Sequence, residues 1–152
     1  MIRPMKKGDI PAVHAIESLS FRTPWSKMAL RGELTNPVAH YLVAEEDGRI
    51  LGYCGMWVVF DEAHVTNLAV HPNARGRGTG KVLLRSSMEK AAALGATAMT
   101  LEVRETNLAA QQLYAGFGFI CQGSRKGYYT DTGEDAYLLW NRDIVGALQM
   151  LP

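Results

Sequence analysis

The feature that most constrains this chain is the run Asn67-Leu68-Ala69-Val70-His71-Pro72-Asn73-Ala74-Arg75-Gly76-Arg77-Gly78-Thr79-Gly80-Lys81. It reads as a strand, a loop and the start of a helix. Three glycines, at 76, 78 and 80, remove the Cβ atoms that would hold a bound anion away from backbone N–H groups. The first turn of the following helix offers unpaired donors and the positive end of the helix dipole. Arg75, Arg77 and Lys81 add formal charge, and a pyrophosphate is the natural guest. Two other phosphate motifs fail on spacing. A Walker loop needs glycine five positions before Gly80, where Arg75 stands, and Ser or Thr after Lys81, where Val82 stands. A dinucleotide fingerprint starting at Gly76 needs glycine at position 81, which is lysine.

The rest of the chain supplies elements around this turn. Residues 2–5 read as a short strand. Asp9 is expected to cap a helix whose apolar face carries Ile10, Val13, Ile16 and Leu19, with Pro11 tolerated in its first turn. Ser26 starts a second helix, stapled by Trp25 and Leu30 and stopped by Asn36-Pro37. Strands at 40–45 and 49–60 flank Asp47-Gly48, a strong hairpin signal, and another strand covers 63–70. Leu84, Met88 and Ala91 recur at helical spacing over 79–94, with Gly95 as terminator. Residues 98–104 alternate as a strand, with Met99, Leu101 and Val103 on one face and Thr100, Glu102 and Arg104 on the other. Asn107 caps a helix with Ala110, Leu113 and Phe117 on one face, closed by Gly116 and Gly118. Strands at 119–128 and 135–142 end the chain. The order β-α-α-β-β-β-α-β-α-β-β predicts an α/β (α+β) fold, a mixed sheet with helices on both faces, in a single domain over residues 1–152.

Composition narrows the function classes. Hydrophobic residues make up 47% and charged residues 20%, enough apolar content for a core. A formal net charge of +1 gives no electrostatic reason to expect nucleic-acid or membrane binding. No apolar run approaches the ~20 residues that span a bilayer, and Met1–Lys7 lacks the apolar stretch of a signal peptide, so a cytoplasmic protein is expected. Cys54, inside an apolar run, reads as a small buried hydrophobe; with Cys121 it makes no disulfide framework. His14, His40, His64 and His71 show no metal-ligand spacing and read as surface or packing residues; no metal is expected.

The pattern Arg-x-x-Gly-x-Gly, Arg75 through Gly80, resembles the coenzyme A pyrophosphate loop of the GCN5-related N-acetyltransferase (GNAT) superfamily. The likeness covers nearly the whole chain. It extends to Pro24-Trp25-Ser26, Asn67-Leu68-Ala69-Val70, Leu101-Glu102-Val103-Arg104, Asn107, Leu113-Tyr114, Gly118-Phe119 and Tyr128-Tyr129 with Gly133-Glu134-Asp135-Ala136. Within the superfamily these words are most similar to the branch that acetylates the N-terminal alanine of small-subunit ribosomal protein number eighteen. The resemblance implies a mostly antiparallel sheet of about seven strands with a splay between the fourth and fifth. It implies acetyl-CoA as co-substrate and a protein N-terminus as acceptor.

Acetyl transfer to an amine needs a base for the amine, stabilisation of the carbonyl oxygen and a proton for the departing thiolate. A free α-amine, with a pKa of about 7.7–8.0, needs only a modest base. Glu102, a carboxylate in the middle of a predicted central strand, is the candidate; by position alone it is equally a structural ion-pair partner for Arg104. The resemblance implies the first role, directly or through water. Tyr114 is the candidate acid, with a core tyrosine as the alternative, and the family's Leu-Tyr pair implies the acid. Asn107 is an N-cap that the resemblance also places against the coenzyme. Leu68, Ala69 and Val70 are implied to pair through their backbones with the pantetheine arm and to polarise the thioester oxygen. Arg75, Gly76, Arg77, Gly78, Thr79, Gly80 and Lys81 are expected to hold the diphosphate. The family's acceptor groove would lie between Phe21–Trp25 and the last hairpin, so Trp25, Tyr128 and Tyr129 are candidate substrate contacts. Three other readings remain: transfer to a polyamine or aminoglycoside, a coenzyme-binding regulatory module without turnover, and a protein-interaction domain. The joint presence of Glu102 and Tyr114 argues against the second, and the glycine turn lends the third little.

Overall fold

The structure, a computed structural model, describes residues 1–151. Its elements are β1 (Ile2–Pro4), α1 (Ile10–Ser20), α2 (Lys27–Glu33), β2 (Ala39–Glu46), β3 (Arg49–Val59), β4 (Glu62–Val70), α3 (Thr79–Ala93), β5 (Ala98–Arg104), α4 (Leu108–Gly116), β6 (Ile120–Tyr129), β7 (Glu134–Asn141) and α5 (Ile144–Met150). The seven strands form one sheet in the order β1-β2-β3-β4-β5-β7-β6. Every pairing is antiparallel except β4 with β5. That mixed sheet with helices on both faces is the predicted architecture.

Two apolar clusters flank the sheet. Ile10, Val13 and Ile16 of α1 and Leu30 of α2 pack with Tyr41, Val43, Tyr53 and Ala69 on one face. Leu83, Leu84 and Met88 of α3, Phe117 and Ile144 pack with Cys54, Met56, Met99 and Leu101 on the other. Cys54 is a free, fully buried thiol whose pKa burial pushes up to about 11, so it packs as an inert hydrophobe.

Two features of β4 place the site. The register with β3 slips between Gly55↔Asn67 and Met56↔Val65, leaving Thr66 as an extra residue. Before this bulge Ala63 and Val65 face the α3 side; after it Leu68 does, while Ala69 turns to the α1 side. Then β4 and β5 pair only at Glu62↔Ala98, Ala63↔Met99 and His64↔Thr100. Beyond His64 the strands diverge, so the predicted splay is present and the edge of Val65–Val70 that faces β5 has no strand partner.

Local details differ from the sequence reading in three places. Asp9 does not cap α1 through its side chain; its carboxylate instead accepts from Lys6 N–H at 2.7 Å and pairs with the Arg3 guanidinium at 2.7 Å. Leu19 is 59% exposed, and Glu17 takes the buried place in the α1 stripe. The C-terminal helix α5, capped by Asp143 accepting from Gly146 N–H at 3.0 Å, was not expected. Ser26 and Asn107 cap as predicted, accepting from Ala29 N–H at 3.0 Å and Ala110 N–H at 3.1 Å.

Candidate functional site

The glycine turn leads into α3 as the sequence requires. Gly76 (φ +79°) and Gly78 (φ +81°) occupy the left-handed region, where a Cβ costs roughly 1–2 kcal/mol, and an added Cβ at either would meet no protein atom within 4 Å. Gly80 is different: its helical backbone needs no glycine, and its missing Cβ lies 3.7 Å from Leu113 and Val70. The first bond of the helix runs from Val82 N–H to the Gly78 carbonyl, so the N–H groups of Thr79, Gly80 and Lys81 have no partner within α3. Thr79 and Gly80 line a cavity of about 480 Å³ together with Leu68, Val70, Gly76, Gly78 and Leu113. Arg75 also lines it, its Nε tied to the Val70 carbonyl at 3.1 Å. Arg77 and Lys81 do not line the cavity; Arg77 leans toward Glu46 at 3.9 Å.

A second cavity, of about 290 Å³, lies between the separated strands. Glu102 and Arg104 enter it from β5, Thr66 and Asn67 from β4, Trp25 from the segment after α1, and Tyr128 and Tyr129 from β6. The two cavities share Ser20, Phe21, Leu68, Asn107, Ala110 and Tyr114. Tyr114 is therefore at the junction. It is the buried residue of α4, 6% exposed, rather than a neighbour of the buried stripe, and its ring meets Phe119 edge-on at 5.6 Å. Burial pushes its phenol well above the ordinary tyrosine value, which keeps it protonated at neutral pH. The Ser20 hydroxyl at the same junction is buried and has no hydrogen-bond partner among the described residues.

Glu102 does not pair with Arg104. Its Oε2 lies 2.7 Å from His64 Nε2, and that hydrogen bond holds the carboxyl below the ordinary carboxylate value against the opposing effect of burial. His64 is thus neither a loose surface group nor mere packing. Arg104 instead clasps the β6–β7 hairpin, reaching Asp131 at 2.9 Å and Glu134 at 3.4 Å with its guanidinium 4.0 Å over the Tyr129 ring. Burial pushes the Tyr129 phenol up to about 12. Tyr128 meets Tyr129 edge-on at 5.1 Å.

Glu17 was missed. It is 1% exposed and lines the second cavity from below, with no cation paired to it among the described residues. Its carboxylate accepts from the Tyr53 hydroxyl, from Asn67 Nδ2 at 3.2 Å and from Trp25 N–H at 2.9 Å. The available signal was its spacing: Glu17 follows Ile10 and Val13 by seven and four positions, on the face that must be buried. Glu17→Ala would strand three donors, and urea unfolding should show a loss of about 2–4 kcal/mol. Wild-type stability in that variant would mean the network carries no weight.

Comparison with known proteins places these features. Residues 10–119 match the model of the Acetyltransferase (GNAT) family. A Bacillus subtilis protein provisionally named [ribosomal protein bS18]-alanine N-acetyltransferase is 48% identical over 140 residues, covering 91% of this chain and 93% of that protein. The Escherichia coli (strain K12) [ribosomal protein bS18]-alanine N-acetyltransferase is 31% identical over 140 residues, covering 91% and 94%. The crystal structure of the ribosomal-protein-S18-alanine N-acetyltransferase from Escherichia coli superposes with a TM-score of 0.85 at 30% identity, covering 92% of this chain and 91% of that one.

Proposed function

Because this chain belongs to the acetyltransferase (GNAT) family, we propose that it is an N-alpha-acetyltransferase, acting as a single domain on the N-terminal alanine of ribosomal protein bS18. The observation that carries this reading is the junction. An anion cradle at the head of α3 and a carboxylate-bearing cavity between β4 and β5 meet at Leu68, Asn107 and Tyr114.

The residues present fit acetyl-CoA. Orphan N–H groups at the start of α3 and the open space above Gly76 and Gly78 suit the diphosphate. The unpaired edge of Val65–Val70 suits an extended arm carrying amides. The coenzyme supplies an activated acetyl thioester. Leu68, Ala69 and Val70 align it, and a backbone N–H of this edge polarises its carbonyl oxygen. Glu102 takes the proton of the acceptor amine at its carboxylate, directly or through one water. Tyr114 holds a proton at its hydroxyl for the departing sulfur. Asn107, its side-chain oxygen committed to Ala110 N–H, offers its amide N–H₂ to the coenzyme.

The acceptor enters between the Phe21–Trp25 segment and Tyr128-Tyr129. An α-amine fits better than a polyamine, because the hairpin carboxylates Asp131, Glu134 and Asp135 already pair with Arg104 and Lys126. Glu102 is left to meet a single charge. We infer a protein partner in the cytoplasm rather than nucleic acid or a membrane; among the described residues no helix is long and apolar enough to cross a bilayer.

Mass spectrometry of peptides incubated with acetyl-CoA tests the assignment. Ala-starting peptides should gain one acetyl at the α-amine, while peptides blocked there with only lysine free, and polyamines, should not. Preferential labelling of lysine or polyamine would overturn it. Tyr114→Phe should lower turnover by about 10²-fold with coenzyme affinity unchanged; wild-type turnover in that variant would remove Tyr114 as the acid.

A further inference from the structure

His64 stands at the closed end of the splay, opposite Thr100 in the last register pair before β4 and β5 separate. Its Nε2 meets Glu102 Oε2 at 2.7 Å, its side chain is 40% exposed and that of Glu102 18%. Glu102 lines the acceptor cavity and also a third cavity, of about 480 Å³, which His64 shares with Trp57, Phe60, Arg125 and Trp140. His64 does not reach the acceptor cavity. The carboxylate therefore lies between the place of the amine and an imidazole open to water.

We propose that His64 is a positioning residue that governs Glu102: its Nε2–H fixes Oε2 and leaves Oε1 free for the acceptor amine, and protonation of the imidazole from the third cavity switches the carboxylate off as a base. This rests on the reading of Glu102 given above. A carboxylate held by one donor has a defined orientation, and the second ring nitrogen is the proton entry. An imidazolium beside Glu102 stabilises its anion further and weakens it toward an ammonium proton, as a cation beside a carboxylate does generally. Imidazoles change charge in the physiological range, where carboxylates and phenols do not.

The other charged and titratable groups around the pair are accounted for. Arg125 of β6 lowers the Glu102 pKa at longer range than His64, and it stays cationic across the working pH range. Asp61 and Glu62 line the third cavity beside His64. Arg104, on the Glu102 face of β5, is engaged with Asp131 and Glu134, and Tyr129 is held neutral. The elements packed opposite contribute Trp57, Leu138 and Trp140, which do not titrate.

The test is the pH profile of kcat/KM for one Ala-starting peptide, in wild type, His64→Gln and His64→Leu. Gln keeps an N–H donor and cannot be protonated; Leu keeps neither. In wild type the acid limb should steepen to a slope of about 2, one proton from the substrate amine and one from His64. His64→Gln should keep turnover at pH 8 within about 3-fold and show a slope of about 1; His64→Leu should lose about 10-fold in kcat at every pH, with unchanged acetyl-CoA affinity. A slope near 2 retained in His64→Gln, or wild-type kcat in His64→Leu, would overturn the proposal while leaving acetyl transfer intact. Absence of transfer by the wild-type protein would remove the functional reading and this inference with it.

Discussion

Glu102→Gln is expected to lower kcat by about 10²–10³-fold while leaving acetyl-CoA affinity within about 2-fold, since a positioned general base contributes roughly 10²–10⁴. The substitution is nearly isosteric. Its amide oxygen still accepts from His64 Nε2–H, so the closed end of the splay keeps its hydrogen bond, and Glu102 does not line the coenzyme cavity. What disappears is proton affinity. The sign of the pH dependence follows from the environment: His64 depresses the Glu102 pKa, so the carboxylate stays ionised to lower pH than an ordinary one. The wild-type acid limb must then lie above the carboxylate range and belong to groups that titrate nearer neutrality. Full turnover in Glu102→Gln would exclude Glu102 as the base.

Gly78→Val should weaken acetyl-CoA binding by about 30-fold or more and leave the fold standing. The backbone at Gly78 has φ +81°, which costs a non-glycine residue about 1–2 kcal/mol, and a β-branched one more. No protein atom lies within 4 Å of the added Cβ, so the structure itself has no clash to relieve. In the proposed coenzyme site the branched side chain would instead compete with the diphosphate and tilt the loop that leads into α3. Because the loss falls on binding, kcat at saturating coenzyme should hardly move. A variant with wild-type affinity would mean that the diphosphate sits elsewhere.

The sequence was most informative where one residue type answers one geometric demand. Asp47-Gly48 set the β2–β3 hairpin, and both residues have positive φ. Gly95 ends α3 with φ +97°, and Asn107 starts α4 with the side-chain bond expected of it. The cradle's backbone was legible for the same reason at two of its three glycines: Gly76 and Gly78 have positive φ, whereas a Cβ at Gly80 would make ordinary van der Waals contact with Leu113 and Val70. Charge near the loop was less informative, since a flexible Arg or Lys carries no direction in the sequence, and Arg77 and Lys81 stand outside the cavity.

Contacts between distant strands were not legible. Glu102 was recognisable as an out-of-place carboxylate in β5, yet its partner came from β4, thirty-eight residues away, rather than from Arg104 on its own strand. The Thr66 bulge, which turns Asn67 toward Glu17, leaves no local pattern in the sequence because a bulge is a property of a strand pair. Glu17 was overlooked because a carboxylate on an apolar stripe reads as a surface residue until its donors, drawn from β3, β4 and the segment before α2, are brought together.

Calorimetric titration of the wild-type protein with acetyl-CoA and with acetyl-pantetheine, which lacks the diphosphate, addresses the cradle most directly. Two charge-assisted hydrogen bonds to the diphosphate amount to about 3 kcal/mol or more, so acetyl-CoA should bind at least ~100-fold tighter. Equal affinity for the two ligands, or no affinity for acetyl-CoA, would contradict it.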